Sequence, residues 1–209
     1  MTEHDPRYAV SISLEEAAFG CHKTIDIKTS EKCPSCNGSG KSSSSAVCIG
    51  CQGTGRLYQT YPLTVDIPAG IEDGYQLHIK PKTSSKNKGK ISGELDVLVS
   101  VKANKLFRRA GADIIYELSL NFPQAALGTE VMVPTLKEEA RLKISPGTQT
   151  GKIFRLKGKG IPRFGKKGTG DLLVHVTVLM PTSLDEHQRE LLKQLAAKLP
   201  QPHIGRADQ

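Results

Sequence analysis

No stretch of 18 consecutive apolar residues occurs in these 209 residues, so nothing in the sequence reads as a helix that crosses a membrane. The opening residues, Met1-Thr-Glu-His-Asp-Pro6, lack the cationic and apolar regions of an export signal, and cysteine pairs that read as reduced thiols point to the cytoplasm as the expected location. No combination of Ser, His and an acid shows the spacing of a nucleophilic triad, and His22, His78 and His175 stand isolated in strand-like text. The nearest approach to a phosphate loop is Gly160-Ile-Pro-Arg-Phe-Gly165-Lys166-Lys167. There Lys167 replaces the Ser or Thr that would ligate magnesium, and Pro162, Gly168 and Gly170 forbid the helix that should follow. The chain reads as no enzyme.

Acidic residues are absent from positions 141 to 170, a span that holds Arg141, Lys143, Lys152, Arg155, Lys157, Lys159, Arg163, Lys166 and Lys167. A further five lysines lie between Lys80 and Lys90, and the formal net charge is +8. Aromatic residues are scarce too, at 5% with no tryptophan. Proteins that bind single-stranded nucleic acid interleave aromatics with basic residues, whereas only Phe154 and Phe164 fall in the basic span. A zinc-containing nucleic-acid-binding protein is therefore the alternative reading, and a solvated basic face, or one that docks an acidic peptide, is the preferred one. The composition otherwise, 37% hydrophobic and 24% charged, is that of a globular protein with one large or two small domains.

What the sequence does contain is one motif written twice: Cys33-Pro-Ser-Cys36-Asn-Gly-Ser-Gly40 and Cys48-Ile-Gly-Cys51-Gln-Gly-Thr-Gly55. Two residues between thiols allow both sulfurs of a pair to reach one tetrahedral ion, and the glycines let the backbone turn beneath them. The eleven residues from Asn37 to Val47 are rich in Gly and Ser and can fold back without a core. This spacing predicts one structural zinc per chain held by Cys33, Cys36, Cys48 and Cys51. A weaker alternative is a thiol-disulfide oxidoreductase, but a redox CxxC sits singly in a βαβ setting that this text lacks. Cys21 follows Gly20 alone and reads as a small packed hydrophobe.

An internal repeat organises the rest. Leu63-Thr-Val-Asp-Ile67 through Lys80 matches Ala140-Arg-Leu-Lys-Ile144 through Lys157, and Gly93-Glu94-Leu95 matches Gly170-Asp171-Leu172, both at an offset of 77 residues; Ala17-Ala18-Phe19-Gly20 matches Ala125-Ala126-Leu127-Gly128 at 108. The difference, 31 residues, is an insertion in the first copy between Gly20 and Leu63, where the cysteines lie. Apolar residues recur at every second position in Tyr8/Val10/Ile12, Ile25/Ile27, Leu63/Val65/Ile67 and Leu95/Val97/Val99/Val101, and again in Ile114/Tyr116/Leu118/Leu120 and Leu172/Val174/Val176/Val178. The expected fold is mostly β: two homologous small β-sandwich domains in tandem, a zinc-knuckle insert in the first, and a C-terminal helix. The expected boundaries are 5–105 with the zinc module at 31–57, then 106–182, a helix at 183–200 and a tail at 201–209. Short helices are expected at Leu14 to Phe19 and Pro123 to Leu127. Ser183-Leu-Asp-Glu186 reads as a capping box, Pro200 as a stop, and Leu184, Leu191, Leu192, Leu195 and Leu199 as a stripe that needs a partner surface.

These motifs, with Leu106-Phe107-Arg-Arg-Ala-Gly111-Ala-Asp113, Phe122-Pro-Gln-Ala-Ala-Leu-Gly128, Pro146-Gly-Thr-Gln-Thr-Gly151 and Gly158-Lys-Gly160, closely resemble the C-terminal region of DnaJ-type co-chaperones over roughly residues 5 to 200. The resemblance implies a dimeric module that binds unfolded polypeptide by strand addition on the first domain and presents it to a DnaK-type chaperone. By motif position the apolar client pocket falls on Ile25, Ile27, Leu63 and Val97, although core packing alone would explain the same alternation; Pro6 stands where the family has an aliphatic residue. Members with the full zinc region carry four CxxCxGxG repeats and two zincs. The two repeats here resemble the outer pair, so the second centre, which the family associates with client transfer to DnaK, is expected to be missing. The His-Pro-Asp triplet of a J-domain is absent from these residues, so the chain is expected to be the C-terminal portion of a longer co-chaperone.

Overall fold

A computed structural model describes residues 7–42, 46–80 and 95–200. Pro6, the lysines from 82 to 90, Gly93 with Glu94, and the 201–209 tail lie outside them. The elements run β1 (Arg7–Ile12), α1 (Leu14–Phe19), β2 (Cys21–Lys32), β3 (Arg56–Ile67), β4 (Gln76–Ile79), β5 (Leu95–Val101), β6 (Phe107–Ala110), β7 (Asp113–Asn121), α2 (Phe122–Leu127), β8 (Thr129–Pro134), β9 (Glu139–Ile144), β10 (Ile153–Leu156), β11 (Leu172–Leu179) and α3 (Glu186–Lys198).

Strands form where the period-two alternation predicted them, because each buries one face. In the first half a three-stranded sheet, ordered β1-β5-β4, lies with the two-stranded β2-β3. The second half repeats this with β10-β11-β7 and β8-β9, and adds β6 as a hairpin partner of β7. In both halves the first and last strands pair in parallel, β1 with β5 and β7 with β11. A short helix follows the first strand in each, closed by a reciprocal capping box: Ser13 with Glu16 in α1, Asn121 with Gln124 in α2.

Two main cores result. Val10, Ile12, Ala17, Val65, Ile67, Ile71, Val97 and Val99 fill the first. Ile114, Leu120, Val133, Leu142, Ile144, Ile161, Leu172, Val174 and Val176 fill the second, which Leu14 and Ala18 of α1 also enter. Burying one such aliphatic side chain contributes about 1.5–3 kcal/mol, so α1 ties the two halves together by packing as well as by sequence. Polar contacts reinforce the junction. The Arg109 guanidinium donates to the carbonyls of Ile71 at 2.5 Å and Gly70 at 3.0 Å, and burial pulls its pKa down from the usual value. Tyr75 meets Phe164 edge-on with ring centres 4.9 Å apart, and Lys137 lies 4.8 Å above the Phe19 ring.

The two halves differ at one hairpin. β8 and β9 have six residues each and close through a turn at 135–138, whereas β2 and β3 have twelve each and carry the cysteine insert at their far end. Six extra residues lengthen the ribbon by about 20 Å.

The C-terminal helix starts later than the sequence suggested. Its cap is Asp185, whose side chain accepts from the Gln188 amide while Gln188 returns a bond to the cap backbone; Ser183 and Leu184 precede the helix, and Leu199 caps its end. Two overlapping capping patterns lie two residues apart here, and the extended backbone at Asp185 selects the second. The 160–167 segment forms no helix: Pro162 bridges Thr169, and the Arg163 amide donates to the Gly168 carbonyl.

Candidate functional site

At the tip of the long ribbon the two CxxCxGxG motifs face each other as near copies. The Cys33 amide donates to the Gly55 carbonyl and the Cys48 amide to the Gly40 carbonyl, both at 3.0 Å, so each knuckle is stitched to the other's last glycine. Those glycines are forced by the crossing. Gly40 has φ 73°, and a Cβ there would stand 2.3 Å from the Gly53 carbonyl oxygen; Gly55 has φ 69° and its Cβ would stand 2.4 Å from the Gly38 oxygen. Residues the motif leaves open also contribute. The Ser39 hydroxyl donates to the Cys36 carbonyl and the Thr54 hydroxyl to the Cys51 carbonyl, each at 2.7 Å, closing both turns alike. Sequence reasoning passed over these two hydroxyls, although their equivalent place in both repeats was the available signal.

The four sulfurs of Cys33, Cys36, Cys48 and Cys51 all lie within 4.8 Å of one another and are buried together, with Leu57 against them. A tetrahedron of thiolates at the usual zinc–sulfur distance has edges of about 3.8 Å. Cys36 and Cys51 stand 3.7 Å apart and Cys33 and Cys48 4.0 Å apart, so these two edges of the donor set match that ion. Backbone amides face the sulfurs: Gly40 donates to Cys36 at 3.4 Å and Gly55 to Cys51 at 3.2 Å. Burial opposes ionisation of Cys36, but the amides of Gly40 and Gly38, together with hydrogen bonds from the Cys51 and Cys33 thiols, bring it down to about 6. Cys48 goes the other way: the Cys51 amide favours its thiolate, yet burial and the neighbouring sulfurs push it up. Cys21 sits apart, half-buried against the first core, its pKa raised by burial.

The four residues expected to form the client pocket lie in two neighbouring sheets. Ile25 lies opposite Leu63 and Ile27 opposite Tyr61 across the β2-β3 ribbon, and Val97 lies opposite Tyr8 in the neighbouring sheet. Ile27 and Leu95 form a small cluster of their own, against which Tyr8, Ile25, Tyr61 and Leu63 pack. Ile27 and Val97 are enclosed, while Ile25 and Leu63 stay half-exposed between this cluster and the first core. Tyr8 and Tyr61 join a group that alternation alone had not assembled.

The leucine stripe lines one wall of a groove of about 760 Å³, whose other wall is Asn121, Phe122, Pro123, Leu179, Met180 and Pro181. No residue of α3 is buried, and along the whole stripe Leu191, Leu195 and the cap Leu199 are 52%, 40% and 54% exposed, with Leu192 and the preceding Leu184 half-buried. Among the described residues no helix is long and apolar enough to cross a membrane. The acid-free span finds acids from elsewhere, with Arg155 on Asp171, Lys159 on Glu138 at 3.0 Å and Arg141 near Glu130 at 3.6 Å.

Residues 6–181 match the family model described as the DnaJ C terminal domain. "Chaperone protein DnaJ" of Roseiflexus castenholzii is 38% identical over 241 residues, covering 96% of this chain and 65% of that protein. The proteins of the same name from Clostridioides difficile and Bacillus cytotoxicus are 37% and 35% identical, covering 92% and 93% of this chain and 61% and 64% of their own lengths. The chain thus spans a little under two thirds of the relatives it matches. With its duplicated β-fold, its paired CxxCxGxG knuckles and a family match over most of its length, the chain belongs to the DnaJ C-terminal domain family.

Proposed function

We propose that this chain is the client-binding module of a non-enzymatic co-chaperone. It holds unfolded or apolar polypeptide as a strand added to the free edge of β2, in the first β-domain (5–105), and presents it to a DnaK-type chaperone. The second domain (106–182) and α3 supply a homodimer, and one zinc ion per chain ties the 31–57 module through Cys33, Cys36, Cys48 and Cys51. The expected setting is the cytoplasm. The observation that carries this reading is the β2 edge itself. It borders the half-exposed Ile25 and Leu63, so an extended chain laid along it can gain backbone hydrogen bonds and bury an apolar side chain at once.

The chain's own residues divide the work. Alternate backbone groups of β2 recognise any sequence, since every polypeptide carries the same N–H and C=O. The Ile25, Ile27 and Leu63 side chains select apolar segments, and Val97 supports them from behind. Zinc, when bound, would neutralise the clustered thiolates and lock the two knuckles together. The Roseiflexus relative has a few dozen residues in the matched region that this chain lacks, in keeping with a module reduced from four repeats to two.

The test is suppression of aggregation of a chemically unfolded client, without nucleotide, by the 209-residue chain and by Ile25→Ser/Leu63→Ser. Both sites are half-exposed, so the variant is expected to fold. Protection by the parent and its loss in the variant are the expected results. Undiminished protection by a variant with unchanged circular dichroism would remove the edge from the reading. The isolated chain, without a His-Pro-Asp triplet, is expected not to stimulate DnaK ATPase.

A further inference from the structure

The edge proposed for client binding is already in use at one point. β2 and β3 pair without a bulge from Cys21 opposite Ile67 to Lys32 opposite Arg56. The bond from the Cys33 amide to the Gly55 carbonyl continues that register and makes the odd-numbered residues the hydrogen-bonded partners of β3. Antiparallel pairing then turns the N–H and C=O of the even-numbered residues, Thr24, Asp26, Lys28 and Ser30, away from β3 toward the free edge. At Lys28 both groups meet the same atom. Its N–H donates to the Tyr8 hydroxyl at 3.2 Å, and that hydroxyl lies 3.5 Å from the Lys28 carbonyl oxygen, to which it donates. A phenol can give and accept simultaneously, as the backbone of a neighbouring strand does.

The rest of Tyr8 is equally well placed. It comes from β1, where it pairs with Val97, and its ring packs on the Ile27–Leu95 cluster beside Ile25 and Leu63. One residue beyond Lys28, the Thr29 hydroxyl is buried without a hydrogen-bond partner, so the polar groups of this segment are only partly answered from within the chain. An added strand would need the position of the Tyr8 hydroxyl for its backbone and the space beside the ring for its side chain. Both cannot be there together.

We infer that Tyr8 is a built-in occupant of the client edge: its side chain holds the place of an incoming strand at Lys28 and is displaced when polypeptide adds to β2. This inference rests on the proposed strand-addition reading and deepens it. Displacement sets a threshold. A segment that offers several backbone bonds and a large apolar side chain repays the loss of the Tyr8 contacts, whereas a short or polar segment does not, so the tyrosine sharpens selection for extended apolar chain.

The experiment uses the whole chain and a labelled ten-residue peptide alternating leucine and threonine. Tyr8→Phe keeps the ring and removes the hydroxyl, which weakens the unbound state only. The expected outcome is about threefold tighter binding, the equivalent of one net hydrogen bond at a partly hydrated edge. In the parent chain the Tyr8 ring resonances are expected to shift as peptide saturates. Unchanged or weaker binding by Tyr8→Phe, or Tyr8 resonances that stay fixed at saturation, would overturn the inference. Ile25→Ser/Leu63→Ser in the same assay separates the two levels. If it abolishes binding while Tyr8→Phe does not tighten it, the edge is the site and Tyr8 no competitor; if it leaves binding intact, the edge reading fails and takes the inference with it.

Discussion

At the residue scale, the four cysteines were legible as a set because a metal-ligand spacing is local, and the structure brings their sulfurs within 4.8 Å of one another. Tyr8 was not legible as anything but a strand residue. Its hydroxyl meets a backbone twenty positions away, and no periodicity encodes a contact between two different sheets. The same holds for Arg109, whose partners lie in the other half of the chain. Gly40 tests how tightly the knuckles are specified. Because a Cβ there meets the Gly53 carbonyl at 2.3 Å and the backbone is left-handed, Gly40→Ala is expected to weaken zinc retention roughly tenfold or more in competition with a chelator. Asp171 offers a pH test. The Gly158 amide at 2.7 Å, and then Arg155, stabilise its carboxylate and hold its pKa below the ordinary value. A depressed folded pKa means that this stabilisation is present at neutral pH and is lost as pH falls from about 4 downward. Asp171→Asn is therefore expected to lower the melting temperature at pH 7 and to make it fall less steeply below pH 4, as followed by calorimetry.

At the element scale, alternation located the strands but said little of their lengths or partners. Apart from Leu57, which packs against the cysteines, Thr29 to Lys32 and Arg56 to Tyr61 are polar or aromatic rather than regularly apolar, since the far half of the ribbon extends toward the zinc module instead of covering a core. The parallel pairing of β1 with β5 joins residues 89 positions apart and leaves no local mark. The C-terminal helix was foreseen and its cap was not, because two capping patterns overlap. Asp185→Ala is expected to cost about 1 kcal/mol of helix stability, seen as reduced helical ellipticity, while Ser183→Ala is expected to change little. A thirteen-residue helix with no buried side chain has marginal stability on its own in water. Its leucines line an open apolar groove, and a second copy of the chain is the proposed cover. Leu191→Asp/Leu195→Asp should then convert a dimer to a folded monomer in light scattering; a variant that remains dimeric, or a monomeric parent at micromolar concentration, would show that α3 packs within its own chain.

At the scale of the whole molecule, the zinc module stands at the end of a ribbon whose root is fixed in the first core, so metal removal should act locally. Chelation is expected to release the knuckles while leaving most β ellipticity and the cooperative melting of the two cores. Retained zinc in Cys33→Ser/Cys51→Ser, or two zincs per chain, would contradict the single-site assignment. The two halves, joined through α1, Arg109 and the Tyr75–Phe164 contact, form a base that holds the β2 edge in place. Strand addition at that edge has a direct signature in amide hydrogen exchange. When an extended apolar peptide saturates the chain, the outward amides of Thr24 and Asp26 are expected to become protected, while those of Ile25, Ile27 and Thr29, already bonded to β3, change little, and that of Lys28 exchanges its Tyr8 partner for the added strand. Protection confined to the α3 groove, or binding that leaves the β2 amides exchanging as before, would show that clients are held elsewhere.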